Sequence, residues 1–127
     1  MLTRDQHYSI DAYEKIMAIK AKSEADIKAY GSMSHKLPIL IRTAGLSQAL
    51  AFVDARGKEI QRTLLEDLAQ TIGQKSKETF LRNTRQAPLK EYMFLTQQSL
   101  DALLWYKRFA QSILHVDVSD IAEDEGE

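Results

Sequence analysis

The sequence predicts an all-α protein, a compact single-domain bundle of about five to six helices with a long, central C-terminal helix. Apolar residues recur every three or four positions in each long segment, which is the spacing of one helix face. No segment alternates apolar and polar residues over more than four positions, and no Asn-Gly or Asp-Gly hairpin signal occurs. The length of 127 residues fits one domain with a core of its own.

The first two predicted helices occupy the N-terminal third of the chain. The first covers residues 4–22, and its apolar stripe consists of Ala12, Ile16 and Ile19. The second ends at a glycine after a three-four pattern made of Ile27, Tyr30, Ser34, Leu37, Ile41 and Ala44. Pro38 lies inside that pattern and cannot donate a backbone hydrogen bond. We therefore expect a kink at Pro38, or a helix that starts near Ser32 or Ser34.

Three shorter helices are predicted in the middle of the chain. The first covers residues 46–56, and its apolar side consists of Leu46, Ala49, Leu50 and Val53. The next covers residues 58–72, with apolar positions at Ile60, Leu64, Leu65, Leu68 and Ile72. Residues 74–86 are mostly polar, with Phe80 and Leu81 as their only large apolar side chains. We expect a short, weakly held helix there.

The last predicted helix is the longest and begins with Pro88 at its first helical position, where a proline is tolerated. It continues to about His115, with a three-four stripe made of Met93, Thr96, Leu100, Leu103, Lys107, Ala110 and Leu114. Further apolar residues widen this face, which predicts a central helix that contacts several others. The predicted domain is residues 1–115, and residues 116–127 are an acidic tail that we expect to be disordered because it has no packable face.

Single glycines mark three of the predicted helix ends. Gly45, Gly57 and Gly73 each follow an apolar helical stretch. A glycine in the left-handed conformation commonly ends a helix at this position. A phosphate-cradling loop would instead cluster its glycines, so we interpret these three as breaks between helices.

Composition excludes several classes of protein. The chain contains no cysteine, which excludes a disulfide framework and a thiolate zinc site and fits a reducing cytoplasm. The N-terminus lacks the basic-then-apolar pattern of a signal peptide. No apolar stretch approaches the roughly 18 residues of a membrane span, so we expect a cytoplasmic protein without a membrane partner.

The net charge of −1 hides an asymmetry between the body and the tail. Residues 116–127 hold six of the 18 acids and none of the 17 bases, which leaves the body with 17 bases against 12 acids. An excess of bases of this modest size permits anion binding but does not require it, since an ordinary solvated surface has the same composition.

No motif for catalysis or cofactor binding is present. The sequence contains neither a Gly-x-Ser-x-Gly elbow nor a Gly-x-x-x-x-Gly-Lys loop. His7 and Asp11 are one turn apart, but no second pair completes a metal site, so a solvated pair is the simpler interpretation. We expect no enzyme, cofactor, metal or small-molecule substrate. A small helical hydrolase would require folding to gather polar groups around His7, His35 or Asp54.

Basic side chains are the better candidates for function. Arg56, Lys58 and Arg62 surround the Gly57 break, and the last two are expected on one face because they are four residues apart. Lys36 and Arg42 flank Pro38. Cations of this kind can hold a phosphate backbone without reading bases, although each one alone is also compatible with an ordinary solvated side chain.

An aromatic and basic run, Trp105-Tyr106-Lys107-Arg108-Phe109, lies near the end of the last helix. Trp105 and Phe109 point in the same direction, so we interpret these rings as core residues and not as platforms for stacked bases. Lys107 and Arg108 then remain as candidates for contacts with a phosphate backbone or another subunit.

Two blocks of the sequence carry a family pattern. The first contains Tyr30, Lys36-Leu37-Pro38, Ile41, Gly45-Leu46 and Gln48-Ala49-Leu50-Ala51-Phe52. The second contains Glu91-Tyr92, Leu95, Leu100 and Leu104 through Ala110. In their order and spacing, over most of residues 8–114, these blocks resemble the small helical subunit of the Cmr complex, the type III-B CRISPR RNA-guided effector.

The resemblance implies a non-catalytic structural subunit of an antiviral complex. Copies of such a subunit stack into a filament beside the large subunit and line the path of guide RNA and target RNA. The expected RNA-binding residues are Lys36, Arg42, Arg56, Lys58, Arg62, Lys107 and Arg108. The alternative is a helical protein–protein adaptor whose basic face meets an acidic partner without direct RNA contact.

Overall fold

Six α-helices make up most of residues 1–119, the part of the chain that the computed structural model describes. They are α1 (Arg4–Ile19), α2 (Glu24–Ala44), α3 (Leu46–Arg56), α4 (Glu59–Thr71), α5 (Lys77–Gln86) and α6 (Leu89–Ser112). No strand occurs within this range. The predicted all-α bundle with a long C-terminal helix is therefore confirmed. None of these helices is long and apolar enough to cross a bilayer.

Helix α6 packs most extensively against α1 and α2 and also contacts α4. Its predicted stripe was wrong in part, because Met93 is 62% exposed and Lys107 is half-buried. The buried positions of α6 are Leu95, Ser99, Ala102, Leu103, Tyr106 and Ala110. Ser99 can be buried because its hydroxyl donates to the Leu95 carbonyl at 2.8 Å. A pattern of apolar residues alone cannot find such a position.

Helix α2 runs unbroken through Pro38, so a helix start near Ser32 or Ser34 was wrong. It begins instead after Ser23, whose side chain accepts a hydrogen bond from the Asp26 backbone at 3.2 Å. Proline removes one backbone hydrogen bond, but Pro38 and most of its neighbours in α2 are buried. Tertiary packing of this kind stabilises helices more than intrinsic propensity does.

Three expectations about helix ends need correction. Gly57 has φ −71°, so it does not end α3 in the left-handed conformation that Gly45 and Gly73 adopt. A glycine is required there because a Cβ would lie 2.5 Å from the Val53 carbonyl oxygen. Pro88 is the N-cap of α6 and precedes its first helical residue. Helix α1 ends at Ile19, before the predicted residue 22.

The segment after α6 folds back onto α2. Val116 is buried, and its carbonyl oxygen lies 2.8 Å from Nε2 of the buried His35. Gly31 allows this approach, because a Cβ at Gly31 would lie 2.6 Å from the Val116 side chain. The predicted tail began at residue 116, so the packed part of the chain includes at least its first residue. Residues 120–127 lie outside the described range.

Candidate nucleic-acid interface

Three of the predicted RNA-binding residues line one pocket at the junction of α2, α3 and α4. Lys36 comes from α2, Arg56 from the end of α3, and Lys58 from the residue before α4. Their pocket, which we call the basic pocket, has a volume of about 190 Å³ and is completed by Met33, Phe52, Val53, Gly57 and Gln61. No acidic residue of the described chain lines it. Cations from three separate elements therefore converge on one concave surface.

Helical spacing and one tight turn place these residues together. Lys36, Leu40 and Ala44 follow one another at four-residue intervals along α2, and Gln48, Phe52 and Arg56 do so along α3. The two helices are joined only by Gly45, with φ 89°. Residues from both rows line the same surface, so the two rows lie side by side and run in opposite directions.

At the break between α3 and α4, Lys58 and Arg62 make different contacts. Lys58 lies outside α4 in an extended conformation, and its backbone donates to the Gln61 side chain at 2.9 Å. The Arg62 guanidinium donates to the Gly57 carbonyl at 2.5 Å and does not line the basic pocket. The expectation that Lys58 and Arg62 share a helix face was wrong, because the helix begins after Lys58.

An apolar groove adjoins the basic pocket. It has a volume of about 420 Å³ and is lined by Leu40, Ala44, Gln48, Ala49, Ala51 and Phe52. Phe52 lines both depressions and is 48% exposed. Its ring therefore forms the boundary between a basic surface and an apolar one. Phe52 was not among the predicted site residues, because its exposure cannot be read from its spacing in the sequence.

The aromatic and basic run lies elsewhere, at the contact of α1 with α6. Arg108 lies over the Trp105 ring at 5.1 Å, and the Trp105 indole donates to Asp5 at 3.0 Å. Phe109 meets the Tyr13 ring edge-on, with centroids 5.7 Å apart. Trp105 and Phe109 are only partly buried. Of the residues between them, Tyr106 is the one that packs in the core. Neither Lys107 nor Arg108 lines the basic pocket.

Arg42 is also separate from the basic pocket. It is exposed near the end of α2, six residues after Lys36, and therefore lies on a different side of the helix. Of the seven predicted residues, the structure brings together Lys36, Arg56 and Lys58. The other four lie outside this pocket.

Polar groups in the interior form a network between α1, α2, α4 and α6. The Tyr30 hydroxyl donates to Asp67 at 2.7 Å. The Thr71 hydroxyl donates to Asp11 and lies 2.7 Å from the Tyr106 hydroxyl. Burial raises the pKa of Asp67 to about 6, although the Tyr30 hydrogen bond and nearby Lys15 act in the opposite direction. Burial also raises the pKa of Tyr30 and of Tyr106. These contacts join side chains of different helices, so their arrangement is suited to holding the bundle together.

The polar residues considered for hydrolysis lie in separate places. His7 is exposed on α1, and His35 is buried against the Val116 carbonyl. Asp54 pairs with Lys77 at 2.6 Å and so ties α3 to α5. Among residues 1–119, no group of three potential metal ligands occurs.

Known proteins share this arrangement of helices. The family model described as CRISPR-associated protein (Cas_Cmr5) matches residues 4–113. The CRISPR system Cmr subunit Cmr5 of Thermus thermophilus is 45% identical over 115 residues, which cover 90% of this chain and 98% of that protein. A crystal structure of a CRISPR-associated Cmr5 family protein from the same organism has a TM-score of 0.83 and 44% identity, and covers 89% of this chain and 98% of its own. The resemblance seen in the sequence is thus confirmed, and the chain belongs to the Cas_Cmr5 family.

Proposed function

We propose that this chain is a non-catalytic structural subunit of a cytoplasmic type III-B CRISPR RNA-guided effector. Copies stack in a filament beside the large subunit, and a basic face of each copy helps to hold guide RNA and target RNA. Support for a place in the Cmr complex comes from the 45% identical relative, which is named as a subunit of it. Antiviral defence by the assembled complex requires no reaction on this chain.

The observation that carries the RNA-holding role is the convergence of Lys36, Arg56 and Lys58 on the basic pocket. Cations gathered on a concave surface attract a phosphate backbone and release its counterions. The contact is independent of sequence, because phosphates carry no base identity. Binding by one copy is expected to be weak and to gain strength when many copies line the same RNA.

The remaining predicted residues have different positions in this proposal. Arg62 contributes by holding the Gly57 carbonyl and hence the shape of the break beside Lys58. Arg42 is assigned to a contact outside the pocket with RNA or a neighbouring subunit, and Lys107 and Arg108 are assigned to contacts with neighbouring subunits. The assignment of these three residues is independent of the pocket, so it can be wrong while the assignment of the pocket is right.

A protein–protein adaptor is the second candidate, and the apolar groove favours it. The groove is lined by Leu40, Ala44, Ala49, Ala51 and Phe52, with Gln48 as its polar residue. A partner helix could bury an apolar face there. In that case the basic pocket would meet acidic residues of the partner, and the effect on RNA would be indirect.

Affinity purification of the tagged chain from its own cells, with and without nuclease, tests the function. We expect recovery of the large subunit and other Cmr subunits together with short guide RNAs. Native mass spectrometry of that material should find more than one copy of the chain per complex. Recovery of unrelated proteins without guide RNA would contradict the proposal.

The adaptor is separated from the RNA-holding subunit by the triple variant Lys36→Gln, Arg56→Gln and Lys58→Gln. An RNA-holding subunit should still assemble with its protein partners but retain less RNA. An adaptor should lose its partner and show no RNA deficit beyond that loss. The variant Lys107→Gln and Arg108→Gln is the matched control, with neutralised cations on another face.

A further inference from the structure

Phe52 is an exposed aromatic ring at the boundary of two unlike surfaces. On one side lies the basic pocket, lined by Lys36, Arg56 and Lys58. On the other lies the apolar groove, to which α2 contributes the large side chain of Leu40. Phenylalanine has no polar atom, and leaving its ring about half exposed forgoes burial that a folded helix pair could supply.

A nucleotide has the same division of properties. Its phosphate is charged, and its base is a flat ring with an apolar face and polar edges. Proteins that hold single strands without sequence preference combine a positive groove with aromatic rings on which bases stack. The α2–α3 surface supplies both parts within one helix turn, because Arg56 follows Phe52 by four residues.

We infer that this surface binds single-stranded RNA, with successive backbone phosphates on Lys36, Arg56 and Lys58 and one base stacked on Phe52. The inference rests on the RNA-binding role proposed above and adds the aromatic residue and the single-stranded form of the ligand. Gln48, one turn before Phe52, lines the groove and offers an amide that can donate or accept at a base edge. That contact tolerates any base, since the amide provides both functions.

The stacking step distinguishes single strands from duplexes. In an A-form duplex the bases are already stacked and paired, so Phe52 has no free face to meet. The cations, in contrast, contact phosphates in either form. The structure therefore predicts that Phe52 contributes to binding of a single strand only, whereas the cations contribute to both.

The first experiment measures binding of the full chain to a fluorescent oligouridine and to an RNA duplex by anisotropy across a range of salt. Phe52→Leu keeps an apolar side chain and removes the aromatic face, so folding is preserved. We expect it to weaken single-strand binding by about 5- to 150-fold. The dependence on salt and the affinity for the duplex should stay as in the wild type. Phe52→Trp should bind the single strand at least as well.

Phe94→Leu is the matched control for Phe52→Leu. Phe94 is also a half-exposed ring on a helix, 55% exposed against 48% for Phe52, and a cation, Arg4, lies over it at 5.5 Å. It does not line the basic pocket. We expect unchanged RNA binding. Equal losses in both leucine variants would overturn the assignment of a stacked base to Phe52.

The second experiment places the contact in the assembled complex. The complex is loaded with RNA that contains 4-thiouridine, irradiated, and the cross-linked peptides are identified by mass spectrometry. We expect a cross-link on the peptide that contains Phe52, and its loss in Phe52→Leu at unchanged subunit stoichiometry. This measurement holds even if the isolated chain binds too weakly for anisotropy.

The outcomes separate the inference from the proposed function. Cross-links on this chain that avoid the α3 peptide would overturn base stacking and leave RNA holding in place. No cross-link to this chain would overturn both. Loss of protein subunits from Phe52→Leu, with RNA contacts to the remaining chain unchanged, would identify the groove as a protein-docking site and overturn the inference.

Discussion

Cations lie beside aromatic rings at two places in this molecule, and the two places use them differently. At the contact of α1 with α6, which we call the seam, Arg108 covers Trp105 and Arg4 covers Tyr8 and Phe94. At the basic pocket, Lys36, Arg56 and Lys58 converge on a depression that Phe52 borders. Seam cations cover rings of the chain itself, whereas pocket cations line a concave surface that a ligand can enter.

This difference shows that adjacency in sequence is a poor guide to a binding surface. Trp105 and Arg108 are close in sequence and meet across one helix turn, so they satisfy each other. Among the pocket cations, Arg56 and Lys58 flank Gly57, but Lys36 lies 22 positions before Lys58. Only folding brings Lys36 to the other two.

The largest expected effect is a loss of RNA affinity when the pocket cations, but not the seam cations, are neutralised. The triple variant Lys36→Gln, Arg56→Gln and Lys58→Gln removes three phosphate contacts. At about −0.7 per contact, the slope of log affinity against log salt should become shallower by about 2, which is about 100-fold at 0.1 M salt. Titration of single-stranded RNA measures it. The seam variant Lys107→Gln and Arg108→Gln should leave the slope unchanged; a larger loss there would reverse the comparison.

The stability of the folded chain should depend on pH through Asp67. Its folded-state pKa of about 6 exceeds the ordinary 3.8, so the folded chain holds this proton more tightly than the unfolded chain does. The resulting stabilisation is complete below about pH 4 and is lost as the pH rises through 6, by at most about 3 kcal/mol.

Asp67→Asn removes this titration and keeps an oxygen to accept from Tyr30. Urea unfolding at pH 4 and pH 7 measures the effect. The unfolding free energy of the wild type minus that of Asp67→Asn should decrease from pH 4 to pH 7. A constant difference would mean that Asp67 is ionised in the folded protein as readily as in the unfolded one.

A smaller effect is expected at Gly31, where α2 lies close to the segment that follows α6. Replacing a helical glycine by alanine ordinarily stabilises by about 0.5–1 kcal/mol. Here Gly31→Ala should destabilise by about 1–3 kcal/mol, since its Cβ would lie 2.6 Å from the Val116 side chain. Urea denaturation measures it. In a Val116→Gly background the same substitution should no longer destabilise, and a persistent cost there would place the strain elsewhere.

The smallest expected effect is a loss of unfolding free energy at the seam. Arg4 pairs with Asp101 at 2.8 Å and lies over two rings, all near the surface. Arg4→Ala should cost about 0.5–1 kcal/mol of unfolding free energy and leave RNA binding unchanged. Asp101→Asn keeps the ring contacts and should cost less. Thermal unfolding compares the two, and lost RNA affinity in Arg4→Ala would extend the binding surface to the seam.

Much of the fold could be predicted because short-range periodicity encodes it. Helix α3 and its buried residues Leu46, Ala49, Leu50 and Val53 agree with the predicted segment at every position. The pattern failed at Ser99 and Met93 in α6, since burial of a serine depends on a backbone partner and exposure of a methionine depends on which helices cover the face. Likewise, Pro38 signals a break locally but sits within a helix that the core holds.

The candidate site was less predictable than the fold. Lys36, Arg56 and Lys58 were among the predicted residues, but nothing in their spacing distinguished them from Arg62, Lys107 and Arg108. The distinction depends on the turn at Gly45 and on the start of α4 after Lys58, which decide the direction of each side chain. Phe52 became a candidate only when its exposure was known.

The sequence alone determined that this protein is helical, where most helices begin and end, that its body is basic, and which family it resembles. These properties follow from local spacing, composition and residue order, all of which are written along the chain. Tertiary structure decided which cations share a pocket, which rings remain exposed and which polar groups pair in the interior. Such contacts join residues distant in sequence, and their geometry depends on how six helices pack together.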